Sequence, residues 1–162
     1  MHKTQRALFC VYSQTNMEYT IHFFGTQHPF YAKALALRYA VLRKPLGLEF
    51  TDAELKKDEP DTHVALIAEQ EEVKACLTLT FDSPGSVKVR QVAVSEKEQG
   101  KGLGKKLSVA AEQYVLEKGV KLMHCNARKT AVPFYLQLGF ETVGEEFEEV
   151  GIPHFRMQKT IC

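Results

Sequence analysis

The sequence has no run of lysine and arginine longer than three, and its 162 residues carry a net charge of about +1. A sequence-independent grip on nucleic acid needs a basic patch or stripe, so none is expected. Its four cysteines, Cys10, Cys76, Cys125 and Cys162, stand far apart with no C-x-x-C pair. That spacing argues against a zinc site or a disulfide framework and fits a reducing cytoplasm; no metal is expected. Long apolar runs are missing too. The N-terminal one, Ala7–Tyr12, has six residues, too few for a signal-peptide core or a membrane span. A soluble protein with no membrane partner is expected.

What remains is ordinary globular material: 44% apolar and 25% charged residues in one domain's length of chain. Residues 1–16 show no clear period and are expected to form a peripheral extension, with the domain running from 17 to 162. Met17 opens a strand. Pro29 suits a first helical turn, and Phe30, Ala34, Leu37 and Val41 recur at helical spacing until Pro45. Thr51-x-x-Glu54 reads as a capping box. Strands are expected at 64–69 and 73–81, and again from 87 to 94. A helix follows through Leu103, Leu107, Ala111, Tyr114 and Val115 to Gly119. A strand at 121–126, a short helix at 131–138 capped by Thr130, and strands near 140–143 and 154–161 complete the chain. The alternation predicts a mixed sheet covered by helices, an α/β fold in a single domain.

Within V-K-V-R-Q-V-A-V, residues 87–94, Val87 and Val89 share a face, and Val92 and Val94 share a face of the opposite parity. One extra residue at Arg90-Gln91, a β-bulge, would keep both pairs on one side. A strand buried on both faces near its end explains the pattern equally well.

The stretch Gln99-Gly100-Lys101-Gly102-Leu103-Gly104-Lys105 then leads from a strand into a helix. The first amides of a helix lack partners and carry the positive end of its dipole, and glycines let an anion approach them. The alternative is a loop that is merely glycine-rich. A nucleotide P-loop is excluded, because Lys106-Leu107 offers no hydroxyl for magnesium. The G-x-G-x-G spacing, late in the chain, also departs from the dinucleotide fingerprint.

Three motifs in order resemble the GNAT superfamily of N-acetyltransferases, and specifically its small bacterial ElaA-like branch. Gln99-x-x-Gly102-x-Gly104 matches the Q/R-x-x-G-x-G/A loop. Ala131-Val132-Pro133-Phe134-Tyr135-Leu136-Gln137-Leu138-Gly139-Phe140 matches A-x-x-F-Y-x-x-x-G-F. Gly151-Ile152-Pro153-His154, with Asn126-Ala127, matches the branch. The resemblance covers residues 19–160. It implies a mostly antiparallel central sheet, splayed between two adjacent strands, with helices on both faces. It also implies acetyl-CoA as cosubstrate. The pantetheine arm would lie along Val92, Ala93 and Val94, and the pyrophosphate on the amides of Gly100, Lys101, Gly102, Leu103, Gly104 and Lys105 behind Gln99. Asn126 and Phe134 would flank the arm. Arg128 stands where many members carry asparagine.

By the same resemblance Tyr135 is the general acid and a backbone amide near Val92 the oxyanion donor; a core aromatic is the alternative for Tyr135. A phenol, near 10 in water, can hand a proton to sulfur as charge develops there. His154 is the candidate for the acceptor side, as catalytic or substrate-binding group, or else a structural histidine. Gln91 and Arg38 are further substrate-binding candidates, with a snorkelling side chain the alternative for Arg38. Glu145, Glu146, Glu148 and Glu149 either attract a cationic amine or form a solvated hairpin. The resulting expectation is an acetyl-CoA-dependent N-acetyltransferase acting on a small primary amine. A peptide or protein amine and a non-catalytic acyl-CoA sensor are the other readings, and oligomeric state stays open, a homodimer included.

Overall fold

The first helix opens where Pro29 fixes the backbone and His28 Nδ1 accepts the Phe30 amide at 3.1 Å. The second opens on the expected capping box, with Thr51 and Glu54 bonding each other's amides. The computed structural model describes residues 12–14 and 17–162; the rest of the expected extension over 1–16 lies outside the described residues. In chain order the elements are β1 (Tyr12–Gln14), β2 (Met17–Phe24), α1 (Pro29–Arg38), α2 (Asp52–Lys56), β3 (Thr62–Ala68), β4 (Glu72–Ser83) and β5 (Ser86–Val94). After them come α3 (Leu103–Glu117), β6 (Leu122–Arg128), α4 (Val132–Gln137), β7 (Glu141–Glu149) and β8 (Ile152–Thr160).

The strands pair in the order β1-β2-β3-β4-β5-β6-β8-β7. β5 and β6 are parallel and the other described ladders antiparallel, so the sheet is mixed and mostly antiparallel. Two compact units divide the chain. The first runs to Leu79 and takes in Gln91–Ala110; the second comprises Thr80–Arg90 and Ala111–Cys162. β4, β5 and α3 contribute a segment to each.

In the first unit, β2 pairs with β3 from Thr20↔Ile67 to Phe24↔His63. A core of Phe24, Ala34, Ala65, Ile67, Val73, Cys76 and Ala93 receives Phe30, Leu37 and Val41, the expected stripe of α1. The helical segment does not run unchanged to Pro45. A π-turn over Tyr39–Arg43 and a 3-10 turn over Lys44–Leu46 intervene, because Pro45 has no N–H to give the carbonyl four residues back.

In the second unit, β5 pairs with β6 over Ser86–Lys88, and β6 pairs with β8 along its whole length, Leu122↔Thr160 to Arg128↔His154. α4 is entered through a 3-10 turn over Lys129–Ala131, so Ala131 occupies the cap position and Thr130, expected there, falls inside the turn. β7 is longer than the expected 140–143 and exposed along nearly all of it, Phe147 excepted. Of the cysteines among the described residues, Cys76 and Cys125 are buried and Cys162 exposed. Burial pushes the two buried thiols up to about 12.

Candidate active site

In the first unit, Gln91 has a left-handed backbone, φ 55°, a conformation that costs a non-glycine residue about 1–3 kcal/mol. This is the position where the parity of the valines suggested an inserted residue. Beyond it Ala93 is buried against the α1 core, while Val92 and Val94 are half-buried. The side-chain oxygen Oε1 of Gln91 is buried without a hydrogen-bond partner. A buried acceptor left unpaired is costly, and an N–H from a bound molecule would satisfy it.

The segment after β5 is tied down at several points. The Ser95 amide donates to the Lys74 carbonyl at 2.8 Å, the Glu98 amide to the Ser95 carbonyl at 2.8 Å, and the Gln99 side-chain amide to the Val94 carbonyl at 3.1 Å. Gly100 and Gly102 both have left-handed φ, 82° and 79°, and a Cβ at either would meet no atom within 4 Å. Space does not exclude side chains there; the backbone does. The first helical bond runs from the Lys106 amide to the Gly102 carbonyl at 3.1 Å. The amides of Leu103, Gly104 and Lys105 therefore stand ahead of the α3 ladder at the positive end of its dipole. Lys101 turns back to Glu98 Oε2 at 3.1 Å.

Arg38 lies at the end of α1 and does not snorkel: its side chain is 3% exposed and its Nη1 donates to the fully buried Asp58 at 2.7 Å. Tyr31 OH donates to the same Asp58 oxygen at 2.7 Å. Burial pushes the Asp58 carboxyl up, and the bonds from Arg38 and Tyr31 outweigh it, leaving it below the ordinary carboxylate range. The guanidinium also stacks 5.0 Å from the Phe50 ring, and its Nε is buried without a partner.

In the second unit, Tyr135 is buried on α4, with ring contacts to Phe134 at 5.1 Å and Phe140 at 5.5 Å. Burial, and secondarily the nearby Cys125, push its phenol well above the ordinary tyrosine range. Tyr135 is thus held as the neutral phenol.

β8 pairs His154 with Arg128 of β6 on one side and Phe147 of β7 on the other. The buried His154 ring places Nδ1 2.8 Å from the Ile152 carbonyl, so Nδ1 carries a proton. Nε2 lies 3.5 Å from Glu149 Oε2, and the Asn126 amide donates to Glu149 Oε1 at 3.4 Å. Asn126 and His154, paired from sequence only by motif, thus meet through one carboxylate. Sequence reasoning placed Glu149 in a charge run and passed over Glu98; in each case the signal was a cation or imidazole a few residues away that folding brings to the carboxylate.

The family model described as an acetyltransferase (GNAT) domain matches residues 47–161. The chain belongs to the GNAT acetyltransferases. Among curated relatives, the uncharacterized N-acetyltransferase YjcF of Bacillus subtilis is 33% identical over 76 residues, 46% of this chain and 54% of its own. The chain spans about half the length of the curated relatives it matches. Among solved structures, Escherichia coli ElaA is similar at TM-score 0.73 and 23% identity, over 87% of this chain and 99% of its own. An aminoglycoside 6'-N-acetyltransferase complexed with coenzyme A is similar at TM-score 0.69 and 16% identity, over 86% and 96%. These two likenesses show the GNAT fold. Among the described residues no helix is long and apolar enough to cross a membrane, and no group of three His, Cys, Asp or Glu could hold a metal ion.

Proposed function

We propose that this GNAT protein transfers the acetyl group of acetyl-CoA to the primary amine of a small molecule by direct attack. The observation that carries the reading is the start of α3. Two left-handed glycines with open space above them precede three amides outside the helical ladder, an arrangement suited to a diphosphate. Gln99 holds the loop against Val94, and the backbone of Val92–Val94 takes the pantetheine arm. Asn126 and Phe134 complete the cofactor set. Acetyl-CoA supplies the thioester that is split.

Tyr135 acts as general acid: it gives its proton to the leaving sulfur as the C–S bond breaks and regains one from the nitrogen that becomes the amide, so coenzyme A leaves as the thiol. The Val92 amide is the oxyanion donor. His154 serves the acceptor side through Glu149, whose carboxylate it orients. Gln91 offers its unpaired side-chain oxygen to an N–H of substrate, while Arg38 shapes the acceptor side from its ion pair with Asp58. The test is thiol release from acetyl-CoA across polyamines, amino acids, amino sugars and peptides. Turnover confined to peptides would replace the small-molecule acceptor by a protein one, and binding without turnover on any amine would leave a sensor.

A further inference from the structure

The loop that carries the glycines is built over a buried carboxylate. Glu98 ends a 3-10 turn directly ahead of Gln99-Gly100, and its side chain is 8% exposed. One oxygen takes Lys101 at 3.1 Å, from within the loop; the other faces Lys74 of β4 at 3.5 Å. Lys74 is held in turn by Glu72 at 2.8 Å, and its carbonyl receives the Ser95 amide. We propose that Glu98 is the positioning residue of the anion loop: its carboxylate clamps Lys101 to Lys74 and so keeps the Gly100–Gly102 backbone in its binding shape before any ligand arrives. This deepens the acetyl-CoA reading and rests on it.

Two opposed effects decide what Glu98 does for a polyanion. As a negative charge beside the cradle it repels a diphosphate. As a clamp it spares the ligand the ordering of a segment with two glycines, whose backbones lose more freedom on ordering than any other residue's. The charge effect is small here, because Lys101 and Lys74 neutralise the carboxylate at close range and solvent screens what remains. The clamp is also made of ion pairs, Lys101 being 57% exposed, so salt weakens it without changing its sign. Without the carboxylate, Lys101 loses its tie to Glu98; the bonds at Ser95, Gln99 and Lys106 hold the two ends of the loop, and between them the left-handed conformations compete with others of similar energy. The two effects predict opposite signs: a charge role makes binding tighter on removal of Glu98, and a clamp role makes it weaker.

The experiment compares wild type, Glu98→Gln and Glu98→Ala with two thioesters, acetyl-CoA and S-acetyl-pantetheine, which lacks the diphosphate. Wild type must first bind acetyl-CoA; if it does not, the acetyltransferase reading falls, and this inference with it. Given that binding, Glu98→Ala is expected to raise the acetyl-CoA dissociation constant about tenfold, the scale of one charge-assisted hydrogen bond. Glu98→Gln, which keeps an acceptor for Lys101, falls between. Use of S-acetyl-pantetheine and the melting temperature of Glu98→Gln should stay as in wild type. Equal or tighter acetyl-CoA binding in both variants overturns the clamp. So does a loss shared equally by the two thioesters, which would mark Glu98 as a general stabiliser of the fold.

Discussion

Arg38 and Asp58 form an ion pair at 2.7 Å with side chains 3% and 0% exposed. A buried pair adds little over an apolar replacement, but removing one partner strands the other. Arg38→Met is therefore expected to destabilise the protein by about 3–5 kcal/mol, read from the urea midpoint, and Arg38→Met/Asp58→Leu to recover much of that loss. A double variant no more stable than the single one would contradict this account. Because the folded carboxyl lies below its unfolded value, Asp58 contributes stability that is present above the ordinary carboxylate range and lost as pH falls through its folded value. Acid unfolding of the double variant should accordingly be shallower than that of wild type.

Acetyl-CoA at a hundredfold excess over its dissociation constant should stabilise the protein by about 2.7 kcal/mol, visible as a rise in melting temperature. Gly102→Val should remove that rise. Since a side chain there meets open space, the unliganded variant should lose only the cost of forcing a β-branched residue into a left-handed backbone, about 1–3 kcal/mol. Stabilisation by ATP or NAD in place of acetyl-CoA would point to another ligand for the loop.

Tyr135→Phe keeps the rings of Phe134 and Phe140 in contact and removes only the hydroxyl. Turnover is expected to fall about 10²-fold, with acetyl-CoA affinity nearly unchanged. Because the phenol is held far above its ordinary range, the alkaline side of the wild-type pH–rate profile should show no loss attributable to its ionisation below pH 10. Full activity of the variant at a chemistry-limited step would return Tyr135 to the core.

Glu149 and His154 act as a unit in this account, so Glu149→Gln and His154→Gln should each raise the acceptor KM or lower kcat while sparing acetyl-CoA binding. Their double variant should lose little more than either single one, as coupled residues do. A fall in melting temperature with unchanged kinetics per folded molecule would make the pair a hairpin fastening only.

The glycine loop, the short Phe134–Tyr135 helix and the irregularity at Gln91 were legible because each is written in local chain geometry: glycine at left-handed positions, proline in a first turn, a change of parity. The buried polar groups were not. Arg38 sits on an apolar helix face, and nothing nearby in sequence reveals Asp58, twenty residues on, as its partner. Glu98 and Glu149 each read as one acid among several although Lys101 and His154 stand close by in sequence; only the fold shows which carboxylate each of those groups meets, and it adds Lys74 beside Glu98. Thr130 misled for a related reason: a good capping residue is no guide when a tighter turn shifts the helix start by one position.

The contrast between the thiols has a practical side. Cys76 and Cys125 are both buried and held protonated, so alkylating reagents, which need an accessible thiolate, will pass them by. Cys162 is exposed beyond the end of β8. A fluorophore attached there would ride on the second unit, and a colorimetric count of liberated coenzyme must subtract the protein's own accessible thiols, Cys162 among them, before its time course is read.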